Sequence, residues 1–202
     1  MNGKGENSPG PSKDDAVNVR NFLEGDRAAF DRIVLRYKDK MVNLCHWFLD
    51  DYQEANDAAQ ETFVKVYRSL RKFRFESAFS TWLYRIAVNT CKNRLKSSEY
   101  RQKKRMVSLS NPGGVQASAV STEIRDESRS PAVELERKER LTLIKKAINS
   151  LPEDQKTVVA LRDIEGLSYD EVATITGLNL GTVKSKLARA RVNLREKLKD
   201  VI

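Results

Sequence analysis

Residues 167–191 constrain this chain more than any other stretch, because they read as two short helices joined by a tight turn, the second of them basic. Ser168 is a good N-cap, and Glu171 three residues later completes a capping box. Val172, Ala173 and Thr176 are expected to face inward. Gly177 stops the helix, since a left-handed residue is needed there and glycine adopts that conformation without steric cost. A second helix is expected from about Gly181-Thr182, with Val183, Leu187, Ala190, Leu194 and Leu198 forming one apolar stripe. Thr182, Ser185, Ala188, Arg189 and Val192 lie opposite, flanked by Lys184, Lys186 and Arg191. Small side chains between cations let a helix sit deep in a DNA major groove while the cations reach phosphates or guanines. This is a helix-turn-helix pattern, with the base-reading end at the start of the second helix. A basic amphipathic helix with merely solvated charges shares part of the pattern. The glycine turn, the small residues and the preceding capped helix favour the DNA reader.

The charge is distributed accordingly. The 202-residue chain carries a formal net charge of +9. Residues 92–105 contribute +6 and residues 181–202 contribute +5, so the remainder nets −2. Two separate basic patches on a near-neutral background point to two polyanion contacts. Cys45 and Cys91 form no Cys-x-x-Cys pair, and His46 is the single histidine, so no metal site or cofactor is expected. The cysteines are expected to be buried small hydrophobes in a reducing compartment. The sequence shows neither a membrane-spanning apolar run nor a signal-peptide core, so a cytoplasmic protein is expected.

The periodicity is helical throughout, and no strand alternation or internal repeat is evident. The expected fold is all-α, with two helical domains joined by a flexible linker, the C-terminal one containing the helix-turn-helix. The expected divisions are a disordered tail at 1–13, a first domain at 14–98, a linker at 99–131 and a second domain at 132–202. Within the first domain, helices are expected over about 15–23, from about Ala29 to Cys45 with an interruption at Asp50-Asp51, over about 54–70, and from Ser77 or Ala78 to about Lys96. A flexible linker of roughly 35 residues spans about 30–35 Å on average and at most roughly 115–125 Å.

The fourth helix offers a second candidate site. Phe79, Leu83, Ile86 and Thr90 make its inward face, whereas Trp82, Arg85, Asn89, Lys92, Asn93 and Lys96 share another arc. An aromatic ring, cations and side-chain amides on one face suit unstacked single-stranded bases. The preceding segment, Lys72 to Ala78, adds Phe73 and Phe75 among cations. The same pattern also describes a solvated face with Trp82 and Phe75 in the core, and periodicity leaves both readings open. On the third helix, Glu54, Asp57 and Glu61 lie opposite the apolar stripe of Ala59, Phe63, Val66, Tyr67 and Leu70. Acids near a helix N-terminus suit the macrodipole, and they also suit docking to a basic protein surface.

Five blocks carry a family resemblance: Asp57-Ala-Ala-Gln-Glu-Thr-Phe, Phe79-Ser-Thr-Trp-Leu-Tyr-Arg-Ile-Ala-Val-Asn, Leu151-Pro-Glu-Asp-Gln, Gly166-Leu-Ser-Tyr-Asp-Glu-Val-Ala, and Gly181-Thr-Val-Lys-Ser-Lys-Leu-Ala-Arg-Ala-Arg. In this order and spacing they resemble bacterial extracytoplasmic-function (ECF) RNA polymerase sigma factors of the sigma-70 family, RpoE-like in type, over roughly residues 15–97 and 132–199. The resemblance implies that Asp57, Gln60, Glu61 and Phe63 help dock the clamp of the largest polymerase subunit, with the flap region contacted elsewhere. It implies that the loop and fourth helix melt the −10 element and capture a flipped base, through Phe73, Ser77, Phe79, Trp82, Arg85, Asn89, Lys92 and Asn93. It further implies reading of the −35 element by Thr182, Lys184, Ser185, Lys186, Ala188 and Arg189. An anti-sigma factor, often membrane-bound, and a stress or envelope response are implied as well.

There are two departures. Phe75-Glu76-Ser77 stands where a glycine-acid pair is common, and Ala188 is small where some relatives place an aromatic. The expected function is promoter recognition and melting without catalysis. A free-standing helix-turn-helix regulator, with a ligand-binding or dimerising N-terminal domain, is the main alternative. A pure protein-interaction module is a third.

Overall fold

The computed structural model describes residues 13–97 and 131–199. The expected linker and tail lie outside these residues except for Pro131 and Lys13, each of which begins a helix. Among the described residues there is no strand, and no helix is long and apolar enough to cross a membrane.

The N-terminal unit is built from α1 (Lys13–Leu23), α2 (Arg27–Leu49), α3 (Tyr52–Ser69) and α4 (Phe79–Lys96). Adjacent aspartates divide α2 from α3. Asp50 takes a left-handed conformation, φ 59°, and returns its N–H to the His46 carbonyl. Asp51 then caps α3 by accepting the Glu54 N–H at 2.8 Å. An aspartate tolerates the left-handed region better than most residues, so one acid ends a helix and the next starts another. Helices α2, α3 and α4 pack together around Ile33, Met41, Leu44, Ala58, Ala59, Val66 and Leu83, all buried. Helix α1 is pinned to α2 by Asp15, which accepts a 2.5 Å hydrogen bond from the Tyr37 hydroxyl and pairs with Arg36 at 2.9 Å. Cys45 and Cys91 are buried free thiols in this core.

The C-terminal unit contains α5 (Pro131–Asn149), α6 (Glu153–Val159), α7 (Tyr169–Thr176) and α8 (Leu180–Lys197). Helix α6 runs into one wider π turn at Ala160–Ile164. Gly166, at φ 73°, then redirects the chain. Ser168 and Glu171 form the expected reciprocal capping box, and Gly177 is left-handed at φ 71°. Ile175 joins Val172 in the core, whereas Ala173 and Thr176 are only half-buried. Helix α8 starts one residue earlier than expected, at Leu180. The reason is Asn179, whose side chain accepts the Thr182 N–H at 2.7 Å. Val183, Leu187, Ala190 and Leu198 are buried and Leu194 is partly buried, as the stripe requires.

The two units pack against each other, with α7 lying on α4. This explains a feature that periodicity did not show. Helix α4 is buried on two faces, adding Thr81, Tyr84, Ala87, Val88 and Cys91 to the expected inward residues. Across the contact Tyr84 donates to Glu165 at 2.6 Å, Lys145 pairs with Asp50 at 2.9 Å, and Lys156 donates to the Phe48 carbonyl at 3.2 Å.

Candidate nucleic-acid interface

Two polar arcs, on α4 and on α8, remain outward in this packing. On α4, Arg85, Asn89, Asn93 and Lys96 are exposed and Trp82 and Lys92 are half-buried. They fall together because i, i+3, i+4 and i+7 positions share a helix face. The side chains include two amides, which hydrogen-bond base edges, and cations suited to phosphate.

The loop before α4 differs from its sequence-based description. Phe73 and Phe79 are core residues, 8% and 4% exposed. Their rings pack on Trp82 at 5.2 and 6.0 Å between centroids, and on each other at 5.9 Å. Neither can present its ring to a base here, because each is committed to the aromatic cluster. Their part is to seat Trp82. Ser77 is half-buried. The exposed aromatic is Phe75, 41% accessible, with Arg20 of α1 5.5 Å from its ring centroid and Phe73 at 4.9 Å. Phe75 also has φ 58°. Bulky residues are outliers in the left-handed region, which glycine enters without cost. The aromatic composition was legible beforehand; the backbone conformation was not.

On α8, Lys184, Ser185, Ala188 and Arg189 are exposed and Thr182 is half-buried. The Ser185 hydroxyl donates back to the Thr182 carbonyl at 3.0 Å. Lys184 stands 5.8 Å from the Tyr169 ring centroid, against which Arg162 also lies at 4.8 Å. Lys186 is half-buried and is drawn to Asp154 of α6 by an ion pair. Its position borders the buried stripe, so its ammonium is tethered sideways. That pairing also holds the Asp154 carboxyl below its usual range. Arg191, on the other border, pairs with Asp163 at 2.6 Å.

The acidic face of α3 has a cause that neither sequence-based reading contained. Arg94 of α4 lies across it, with Nε 2.9 Å from Glu54, and the other guanidinium nitrogens 3.8 Å from Asp57 and 3.6 Å from Glu61. Glu61 also pairs with Lys65 at 2.7 Å. The face is therefore partly neutralised from within. Gln60 and Phe63 turn the other way, into a groove of ≈ 290 Å³ between α2 and α3 that Val34, Lys38, Val42 and Tyr52 also line. The α2 side of this groove was missed. Val34 and Tyr37 follow one helical period, and nothing in it distinguishes a residue facing the core from one facing a groove.

Comparison with known proteins agrees with an all-α fold of two helical units. The sigma-70 region 2 family matches residues 33–101, and the sigma-70 region 4 family matches residues 141–194. The chain is 39% identical to the RNA polymerase sigma-H factor of Pseudomonas aeruginosa, over 91% of this chain and 93% of that protein. It is 37% identical to the ECF RNA polymerase sigma-E factor of Haemophilus influenzae, covering 93% and 97%. A solved structure of the sigma factor RpoE in complex with the anti-sigma factor NepR, from Bartonella quintana, has a TM-score of 0.61 at 26% identity, covering 84% of this chain and 96% of that one. The fold is also that of CnrH in its complex with the cytosolic domain of CnrY, with a TM-score of 0.65 at 23% identity and coverage of 93% and 98%. With a region 2 unit presenting one polar arc and a region 4 helix-turn-helix presenting another, this chain belongs to the ECF sigma factors of the sigma-70 family and acts as a promoter-specific transcription initiation factor.

Proposed function

We propose that the α4 arc binds the melted −10 strand, that the outer face of α8 reads the −35 element, and that the α2–α3 groove docks the core polymerase. The observation that carries this reading is the placement of Arg85, Asn89 and Asn93 on an exposed α4 face seated on an aromatic cluster. Trp82 is the ring positioned to stack on a base, and Asn89 supplies both a donor and an acceptor for one base edge. Lys92 and Lys96 meet the backbone. Thr182, Lys184, Ser185 and Arg189 form the −35 surface, with Ala188 admitting close approach and Lys186 on its edge. Gln60 and Phe63 are the docking residues of the groove, and Asp57 and Glu61 form its acidic border.

On this reading the chain supplies recognition and the polymerase supplies the chemistry. It works in the cytoplasm. Its similarity to a sigma factor solved with an anti-sigma factor supports regulation by such a partner, and a membrane-bound partner would hold the protein at the inner membrane. Its place among the extracytoplasmic-function sigma factors is the ground for a role in a stress or envelope response.

In vitro transcription with purified bacterial core polymerase tests the assignment. Specific initiation at a promoter with paired −35 and −10 elements is expected. Tight binding of the isolated chain to palindromic duplex, with no initiation on any promoter, would instead identify a free-standing regulator.

A further inference from the structure

Helix α8 carries cations of two kinds. Lys184 and Arg189 are exposed, and neither has an ion-pair partner among the described residues. Lys186 and Arg191 are held differently. At 100° per residue they fall about 140° apart, on opposite borders of the outer arc that Ser185 and Val192 occupy. Each is met there by a carboxylate from outside the helix. Asp154, in the first turn of α6, takes Lys186. Asp163, in the π turn, takes Arg191 through two guanidinium nitrogens, at 2.6 and 3.2 Å. None of the four side chains is buried, and exposed ion pairs add little to stability. Helices α6 and α8 already pack together, with Val158, Val159, Leu187 and Ala190 in one buried cluster. The fold does not need these two pairs.

We propose that Asp154 and Asp163 are affinity-lowering residues of the DNA interface, each standing in for a backbone phosphate and keeping one border cation of α8 off the duplex. This rests on the reading that the outer face of α8 meets DNA. A helix lying in the major groove, about 12 Å wide, has a phosphate backbone along each flank, and the flanks of α8 are where Lys186 and Arg191 sit. A carboxylate offers an ammonium or a guanidinium the same anionic oxygens as a phosphate. It also sets a negative charge where the duplex backbone passes. Phosphate contacts supply grip without sequence information. Holding two cations on internal acids therefore subtracts from the sequence-independent grip, and the side chains aimed at base edges, Ser185 and Arg189 among them, are untouched. For a chain of net charge +9, a weaker non-specific grip shortens its retention on the many competing sites of unrelated DNA.

Binding of the full chain to a short fluorescent duplex of mixed sequence, measured against salt, tests this. Log affinity falls with log salt at a slope of about −0.9 per phosphate neutralised. Asp163→Asn should steepen that slope by about 0.9 and tighten binding severalfold at low salt. Asp154→Asn should do the same through Lys186, so the outcome does not hang on one variant. Glu24→Gln makes the same change of net charge at an exposed position between α1 and α2, and should leave the slope at its parent value. An unchanged slope in both folded aspartate variants would overturn the proposal, because the cations would then already be on phosphate or unable to reach it. So would weaker binding in both, or a steepening that Glu24→Gln equals. Lys184→Ala separates this from failure of the underlying reading, since loss of that unpaired cation should flatten the slope by about 0.9. If it does so while the aspartate variants change nothing, α8 meets DNA and the two acids play no part. If none of the three changes the slope, the assignment of α8 falls, and the proposal with it.

Discussion

Tyr84 and Glu165 are 81 positions apart in the chain, yet the phenol of one donates to the carboxylate of the other at 2.6 Å. Burial pushes the Glu165 carboxyl above its usual range, and the Tyr84 hydroxyl and Lys40 pull it back. Burial and the adjacent carboxylate push the Tyr84 phenol up as well, so it stays protonated and remains the donor. One hydrogen bond to a charged acceptor contributes about 1.5–3 kcal/mol, and here it joins the helix that carries the proposed −10 arc to the turn that precedes the helix-turn-helix.

Asn89→Ala is expected to impair promoter opening more than polymerase binding. Asn89 is exposed on α4, so fold and docking should survive. Permanganate footprinting should show unpaired −10 thymines reduced about fivefold or more, as for loss of about 1–3 kcal/mol of base-edge contact, with core affinity in a pull-down unchanged. Equal losses in both assays would remove Asn89 from the −10 site.

Gln60→Arg should weaken association with core polymerase by about tenfold or more, the scale of a central interface residue. Gln60 lines the α2–α3 groove and stands clear of Arg94. It is a cleaner probe than Asp57→Arg, which would set a second guanidinium beside Arg94. Titration of labelled core measures the effect, and unchanged affinity would leave the groove without its docking role.

Phe75→Gly should be more stable than Phe75→Ala by about 1 kcal/mol. Both lose the contacts with Phe73 and Arg20, so the difference isolates the backbone. At φ 58° alanine keeps the left-handed strain that glycine lacks, about 1–2 kcal/mol, and glycine gives part of that back in unfolded-state entropy. Paired urea melts measure the difference. Equal stabilities would mean that the loop relaxes out of the left-handed region when the ring is gone.

Asn179→Ala should destabilise the C-terminal unit by about 1 kcal/mol, the usual cost of losing an N-cap. The Thr182 N–H then loses its partner at the end of α8 assigned to the −35 element. Urea melts should show the loss, and −35 affinity should fall with it. Asn179→Asp should restore the stability, because an aspartate caps equally well.

The domain contact should weaken in mild acid through His46. Lys145 donates to Nε2 of His46 at 2.7 Å, which requires a neutral ring. Burial first, and then the Lys145 charge, lower the imidazole pKa from its ordinary 6.5, against the opposing pull of Asp50 and Asp51. A lowered folded-state pKa means that the stabilisation is complete above about 6.5 and is lost as pH falls through the depressed value. Glu165 acts with the opposite sign, since its raised pKa favours the buried, protonated form in acid. The histidine's share is isolated by comparison: the stability lost on acidification, measured by urea melts against pH, should be smaller in His46→Gln than in the parent protein, because Glu165 acts equally in both. A pH profile identical in the variant would exclude the histidine as its source.

The helix-turn-helix was legible almost residue by residue, because its determinants are local. A capping box, a left-handed glycine and an apolar stripe act over a few positions, and all are present in the structure. The all-α architecture and the exposed α4 arc followed from periodicity for the same reason. Tertiary structure alone decided which aromatic rings face solvent, because Phe73, Phe75, Phe79 and Trp82 are equivalent in composition and differ only in where the loop turns. It also decided that Arg94 lies across the acidic face of α3, and that Lys186 is tied to Asp154. The second buried face of α4 is of the same kind. Tyr84 and Glu165 are polar residues with no periodic signal between them, and burying them together is favourable only because each satisfies the other once the two units meet.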